Sequence, residues 1–182
     1  GTIILAAGEG TRMRSALPKV LHPVCGRPIL GHILAAADAL GSDTVVVLAA
    51  DPIDQVRRTF GDRYTYVVQE QRLGTGHAAM QARAALRGVA DEVLVLLGDV
   101  PLLRPDTAGR VLEMRRSAGA LAALLSFQAS PPTGYGRVLR DAAGHVTRLV
   151  EERDATPEQR AVTEVSSGLI CYDAEWLWQA LD

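Results

Sequence analysis

Short apolar runs alternate with longer stretches of helical periodicity along this chain. Residues 2–7 form a continuous apolar run that reads as a buried strand and leads into a glycine-rich loop. Residues 29–40 carry apolar positions at helical spacing and stop at Gly41, a natural C-cap. A β-branched run at 44–49 predicts a second strand, 52–60 a short helix and 64–68 a third strand. The Ala-rich segment 75–86 predicts one helix, stopped at Gly88. A fourth strand follows at 92–97, then a helix over 105–116 with proline in its first turn, then a strand at 120–127. After Ser130 the character changes. Pro131, Pro132, Thr133 and Gly134 make a turn cluster. Residues 136–140 and 146–151 read as a hairpin, 162–172 as a further strand and 174–181 as a terminal helix.

Continuous apolar strands separated by helices indicate βαβ units and a mostly parallel sheet with helices on both faces. The expected fold class is therefore α/β. Residues 1–130 read as a nucleotide-binding layer and residues 131–182 as a β-rich substrate lid. Ligands of such sheets bind outside the carboxyl ends of the strands, so the loops at 6–19, 69–75 and 98–101 should converge.

Composition narrows the function without naming it. The chain has 182 residues, 48% hydrophobic and 22% charged, with a net charge of -2. That balance gives no reason to expect nucleic acid or an anionic membrane as partner. Two cysteines, Cys25 and Cys171, exclude a disulfide scaffold and a Cys-x-x-Cys metal or redox pair. No apolar run approaches the ~18–20 residues of a membrane span. The start at Gly1 offers no basic leader, so a cytoplasmic location is expected, and the missing Met suggests a trimmed or partial chain. Of 19 basic residues, 18 are arginine, and Lys19 is the one lysine.

The candidate chemistry begins after the first strand, at Leu5, Ala6, Ala7, Gly8, Glu9, Gly10, Thr11, Arg12 and Met13. Glycines let a backbone approach a ligand, and successive free N–H groups form an anion nest. The loop is not a dinucleotide fingerprint, because Met13 stands where the third glycine belongs, and no Gly-Lys-Ser/Thr follows it. On spacing alone it is either a phosphate loop of another type or a turn. Arg12, Arg14, Lys19 and Arg27 face one acid, Glu9, between residues 8 and 28, which suits a polyphosphate. Pro18 presents Lys19 from a defined backbone. An ammonium is a compact point charge that can follow charge developing on a phosphate. Asp99 ends the fourth strand in Gly98-Asp99-Val100-Pro101, where a carboxylate could hold phosphate-bound Mg2+ or simply cap the loop. Gln69 and the run Leu73-Gly74-Thr75-Gly76-His77 could read a base edge, although Thr75 is equally explained as a helix N-cap.

Taken in order, Leu5-to-Met13, Leu17-Pro18-Lys19-Val20-Leu21, Gln69 with Leu73-to-Ala78, Gly98-to-Leu102, Thr133-Gly134-Tyr135-Gly136-Arg137 and Val150-to-Thr156 resemble one family. It is the uridyltransferase half of the bacterial bifunctional N-acetylglucosamine-1-phosphate uridyltransferase / glucosamine-1-phosphate acetyltransferase. The resemblance covers nearly the whole chain. It implies a Rossmann-like sugar-nucleotidyltransferase fold. It implies Mg2+-dependent uridylyl transfer from UTP to N-acetylglucosamine 1-phosphate, giving pyrophosphate and UDP-N-acetylglucosamine, a peptidoglycan and cell-wall precursor. Position by position, Leu5, Ala6, Ala7, Gly8, Gly10 and Thr11 would line the nucleotide, with Gln69, Gly74 and Thr75 on uracil. Arg12 and Lys19 would neutralise the triphosphate, and Asp99 would hold Mg2+, flanked by Leu97 and Gly98. Gly136 and Glu151 would hold the sugar, with Ser166 standing where the family has asparagine.

The resemblance also sets limits. The family's second metal ligand, the rest of the lid and its β-helix domain would lie past Asp182. The lid is therefore expected to be incomplete, and no trimer is expected. A nucleotidyltransferase for another sugar 1-phosphate and a UDP-sugar-binding module without turnover stand as the alternatives.

Overall fold

The computed structural model of the chain describes residues 1–8, 10, 13–49, 53–69 and 75–182, for Thr75 the backbone only. It divides into two compact units, Gly1–Ala123 with Ile170–Asp182, and Leu124–Leu169.

The first unit is a sheet covered on both faces. Its strands are β1 (Thr2–Ala6), β4 (Val45–Ala49), β5 (Thr65–Val68) and β6 (Glu92–Leu97), with β2 (Pro23–Val24) and β3 (Arg27–Pro28) forming a small separate ribbon. The order β5-β4-β1-β6 is parallel throughout, with Ile3 opposite Val46 and Val95. β7 (Ala122–Gln128) leads out of this unit, and β10 (Glu164–Asp173) returns to it, its last residues pairing antiparallel with β6. The expected parallel core is present, and the antiparallel edge makes the sheet mixed.

Strands buried on both faces need no polar alternation, which is why β1, β4 and β6 read as unbroken apolar runs. Ile3, Val46, Leu48, Val93 and Val95 point to one face. There they meet Ala78 and Ala79 of α3 (Thr75–Gln81), Leu86 of α4 (Arg83–Leu86), and Leu177 and Trp178 of α7 (Ala174–Ala180). Alternate residues, Ile4, Val47 and Leu96, are fully buried toward the other face. α1 (Ile29–Ala39) and α5 (Pro105–Ala118) pack together in this unit, and α1 lies against β1. α2 (Ile53–Phe60) contributes Val56 to the core.

One helix was expected over 75–86, and two are present. The break falls at Ala82, whose N–H bonds to the carbonyl of Ala79 and whose own carbonyl accepts from Ala85. These tighter three-residue bonds interrupt the helix, although every residue around it favours helix.

The second unit contains the hairpin β8 (Arg137–Arg140) and β9 (Val146–Val150), with Val165 of β10 paired to Arg137. The expected hairpin is thus present. A 3-10 turn at Glu152–Asp154 and a four-residue helix, α6 (Pro157–Arg160), follow β9. Thr156 caps α6 through a reciprocal box with Gln159, which explains a helix too short for periodicity to reveal.

Candidate active site

Parallel strands end on the same edge, so the pairing of β1, β4, β5 and β6 gathers their following loops. Leu5 is opposite Leu97, Ala6 opposite Ala49, and the Gln69 N–H donates to the Ala49 carbonyl at 3.0 Å. Leu5, Ala6, Ala7, Gly8, Gln69, Leu97, Gly98 and Asp99 therefore share the carboxyl edge of this sheet. Ala6 and Ala7 are buried and Gly8 is exposed.

Gly98 holds that edge tight. Its N–H donates to the Leu5 carbonyl at 2.8 Å. A Cβ there would stand 3.0 Å from the Leu5 carbonyl oxygen and 3.1 Å from the Ala6 Cβ. A side chain at Gly98 would have to push β1 back by a few tenths of an ångström, so glycine suits the tight turn that leads to Asp99.

Lys19 arrives at the same place by a different route. Pro18 is extended, with φ -49° and ψ 137°, and its carbonyl accepts from Leu21 at 2.9 Å. Val20 and Leu21 bury themselves and anchor the 3-10 turn Lys19–Leu21. The Lys19 Nζ reaches the Asp99 Oδ2 at 2.5 Å. Both side chains stay partly exposed, at 27% and 38%, so a ligand can reach the pair. The stem of Lys19 lies on Gly10, whose φ is +60° and whose Cβ, if it had one, would come within 2.6 Å of the Lys19 Cβ. Gly10 is thus both a left-handed turn residue and a seat for the lysine.

A second group forms within the other unit. A Cβ on Gly136 would lie 3.6 Å from each carboxylate oxygen of Glu151. The Gly136 carbonyl accepts from the Ser166 N–H at 2.8 Å. The Ser166 hydroxyl accepts from the Gly168 N–H at 3.2 Å. Gly136, Glu151 and Ser166, named from sequence as the sugar group, are therefore neighbours.

Arg12, Thr11 and Gly74 lie outside the described residues, and Thr75 is placed only as the first residue of α3. Arg137, the last residue of the Thr133-to-Arg137 motif, has no role legible in the sequence, and the structure buries it, at 2% exposure. Its position directly after Gly136 was the available signal, but nothing in a sequence distinguishes a buried arginine from a surface one.

Asp99 has the donor chemistry that a hard cation needs. Mg2+ is held by one or two carboxylates, with waters and substrate phosphates completing its shell. Among the described residues no group of three or more His, Cys, Asp or Glu is placed to hold a metal. An accessible single carboxylate beside a cationic phosphate-binding candidate fits an ion that arrives with its phosphates.

A Rossmann-like α/β unit with a glycine loop, a lysine and an aspartate at the strand ends defines a nucleotidyltransferase. The chain belongs to the MobA-like NTP transferase domain family, whose model matches residues 2–165. Its similarity extends to curated proteins each named bifunctional protein GlmU. One from Halalkalibacterium halodurans and one from Pelotomaculum thermopropionicum are both 46% identical over 98% of this chain. One from Anaeromyxobacter dehalogenans is 47% identical over 98% of it. The chain spans 38–39% of the length of these relatives. No helix among the described residues is long and apolar enough to cross a membrane.

Proposed function

We propose that this chain transfers the uridylyl group of UTP to N-acetylglucosamine 1-phosphate, releasing pyrophosphate and forming UDP-N-acetylglucosamine. The observation that carries the reading is the 2.5 Å pair of Lys19 and Asp99, accessible at the carboxyl edge of the sheet and seated on Gly10. Similarity to proteins named GlmU supports the choice of substrates.

In this reading the phosphate of the sugar attacks the α-phosphorus of UTP in line and pyrophosphate leaves. The attacking oxygen is already anionic, so no side chain need remove a proton. Catalysis then rests on positioning and on charge neutralisation. Lys19 moves from Asp99 to the triphosphate and follows the charge that builds on it, with Arg12 alongside. Asp99 would hold Mg2+, which when bound neutralises phosphate oxygens. Leu5, Ala6, Ala7 and Gly8 line the nucleotide with backbone groups, and Gln69 with Gly74 and Thr75 reads uracil. Gly136, Glu151 and Ser166 hold the sugar, with Glu151 accepting from hydroxyls and not acting as a base.

The test is pyrophosphate release by the 182-residue chain from UTP and N-acetylglucosamine 1-phosphate, with and without Mg2+. Release only with both substrates and the metal is the expected result. No release, with UDP-N-acetylglucosamine still bound, would overturn turnover by this chain and leave a binding module. A second reading, a different sugar 1-phosphate, is favoured by Ser166, because its hydroxyl already accepts from Gly168. Faster turnover of another sugar phosphate in parallel assays would select it.

A further inference from the structure

A buried arginine guanidinium is costly unless its donors are matched, so its partners show what it organises. Arg137 donates through Nη1 to the Tyr135 carbonyl. Its Nε and Nη2 reach the Arg160 carbonyl at 3.3 and 3.4 Å. Its Nη2 lies 3.9 Å from the Glu152 carboxylate, which also accepts from the Gly134 N–H. Arg160 closes the circuit, its Nε donating to the Glu152 carbonyl at 3.3 Å. One guanidinium therefore ties residues 133–137 to residues 151–160.

Those two segments carry the sugar candidates. Gly136 immediately precedes Arg137, and Glu151 immediately precedes Glu152. Ser166 bonds to Gly136, and its neighbour Val165 pairs with Arg137. Arg137 itself is buried, at 2% exposure, so it acts on the sugar candidates through the segments it ties.

We propose that Arg137 is the positioning residue of the sugar subsite, fixing the distance between Gly136 and the Glu151 carboxylate from behind. The proposal rests on the reading of Gly136, Glu151 and Ser166 as the sugar-binding group. It deepens that reading by making sugar recognition depend on a side chain the sugar never touches. Lysine is not an adequate replacement, because one ammonium cannot serve two carbonyls and a carboxylate in the planar arrangement of the guanidinium.

The experiment measures equilibrium binding of UDP and of UDP-N-acetylglucosamine to the full chain and to Arg137→Lys and Arg137→Met. Amide hydrogen exchange is followed over 133–137 and 151–160. The ratio of the two dissociation constants isolates the contribution of the sugar. The expected result is a ratio reduced about tenfold in Arg137→Lys, with UDP affinity unchanged and exchange accelerated in both segments. Wild-type exchange in the β8–β9 ladder outside the two segments shows that the second unit is folded, and Arg137→Lys carries the test if Arg137→Met does not fold. A wild-type ratio in Arg137→Lys, or exchange unchanged in both segments, would overturn the proposal. Parallel loss of both affinities would overturn it too. If wild-type protein binds the two ligands equally, the sugar assignment fails instead, and exchange alone then decides whether Arg137 fixes the two segments.

Discussion

Gly10 and Lys19 work as one device at the scale of single residues. The glycine is left-handed and leaves room for the lysine stem, so a methyl group at Gly10 must both strain the backbone and push Lys19 off its seat. Gly10→Ala should therefore lower turnover at least roughly tenfold, much as Lys19→Arg should, because neither delivers a compact ammonium to the same point. Steady-state pyrophosphate release by both variants checks this, and wild-type rates in either would remove Lys19 from the chemistry. Gly136 makes a contrasting case. A methyl there would sit at ordinary contact distance, 3.6 Å, from Glu151, so the protein itself should tolerate Gly136→Ala. The thermal midpoint should hold while the KM for the sugar 1-phosphate rises. A falling midpoint, or an unchanged KM, would contradict the idea that the sugar occupies the space above Gly136. Lys19 was legible in the sequence because an arginine-biased chain made its single lysine conspicuous. The role of Gly10 as a seat was not, since it depends on a contact between residues nine apart in the chain.

Elements of the second unit are tied by charge as well as by the sheet ladder. Arg140 on β8 donates to both Glu164 oxygens, at 2.8 and 2.7 Å, and Ser126 of β7 donates to one of them at 2.7 Å. The Arg140 guanidinium above all, and Ser126 after it, lower the Glu164 carboxyl from an ordinary 4.5 to about 2. A carboxyl lowered by folding binds fewer protons in the native state, so it stabilises above pH 4.5 and loses that contribution as pH falls toward 2. Acid unfolding of the strand signal, followed by circular dichroism, should begin at higher pH in Glu164→Ala than in the wild type. Glu164→Gln should flatten the dependence between pH 4.5 and 2. Identical acid profiles would show that the pair contributes nothing. At this scale the sequence was informative wherever burial imposed a pattern. The runs of β1, β4 and β6 were plain because both sheet faces are covered. The break at Ala82 was hidden, because alanines favour helix on either side of it. The tie between Glu164 and Arg140 was hidden too, because alternation along a strand does not say which strand lies beside it.

The whole molecule combines a nucleotide-binding architecture with an extreme bias in its basic residues. The bias has a practical side for the one amine that stands at the carboxyl edge of the sheet. Lys19 is the chain's single ε-amino group, and it rests within hydrogen-bonding distance of Asp99. Reductive methylation with isotopically enriched formaldehyde would install one ε-dimethylammonium label while keeping the positive charge. Its carbon resonance would then report the site without any other lysine to confuse it. Adding UTP should move that resonance as the label exchanges a carboxylate neighbour for a polyphosphate, and Asp99→Asn should move it beforehand. A resonance indifferent to UTP would place the nucleotide elsewhere. The arginine bias of the chain has thereby turned a catalytic candidate into a built-in spectroscopic reporter.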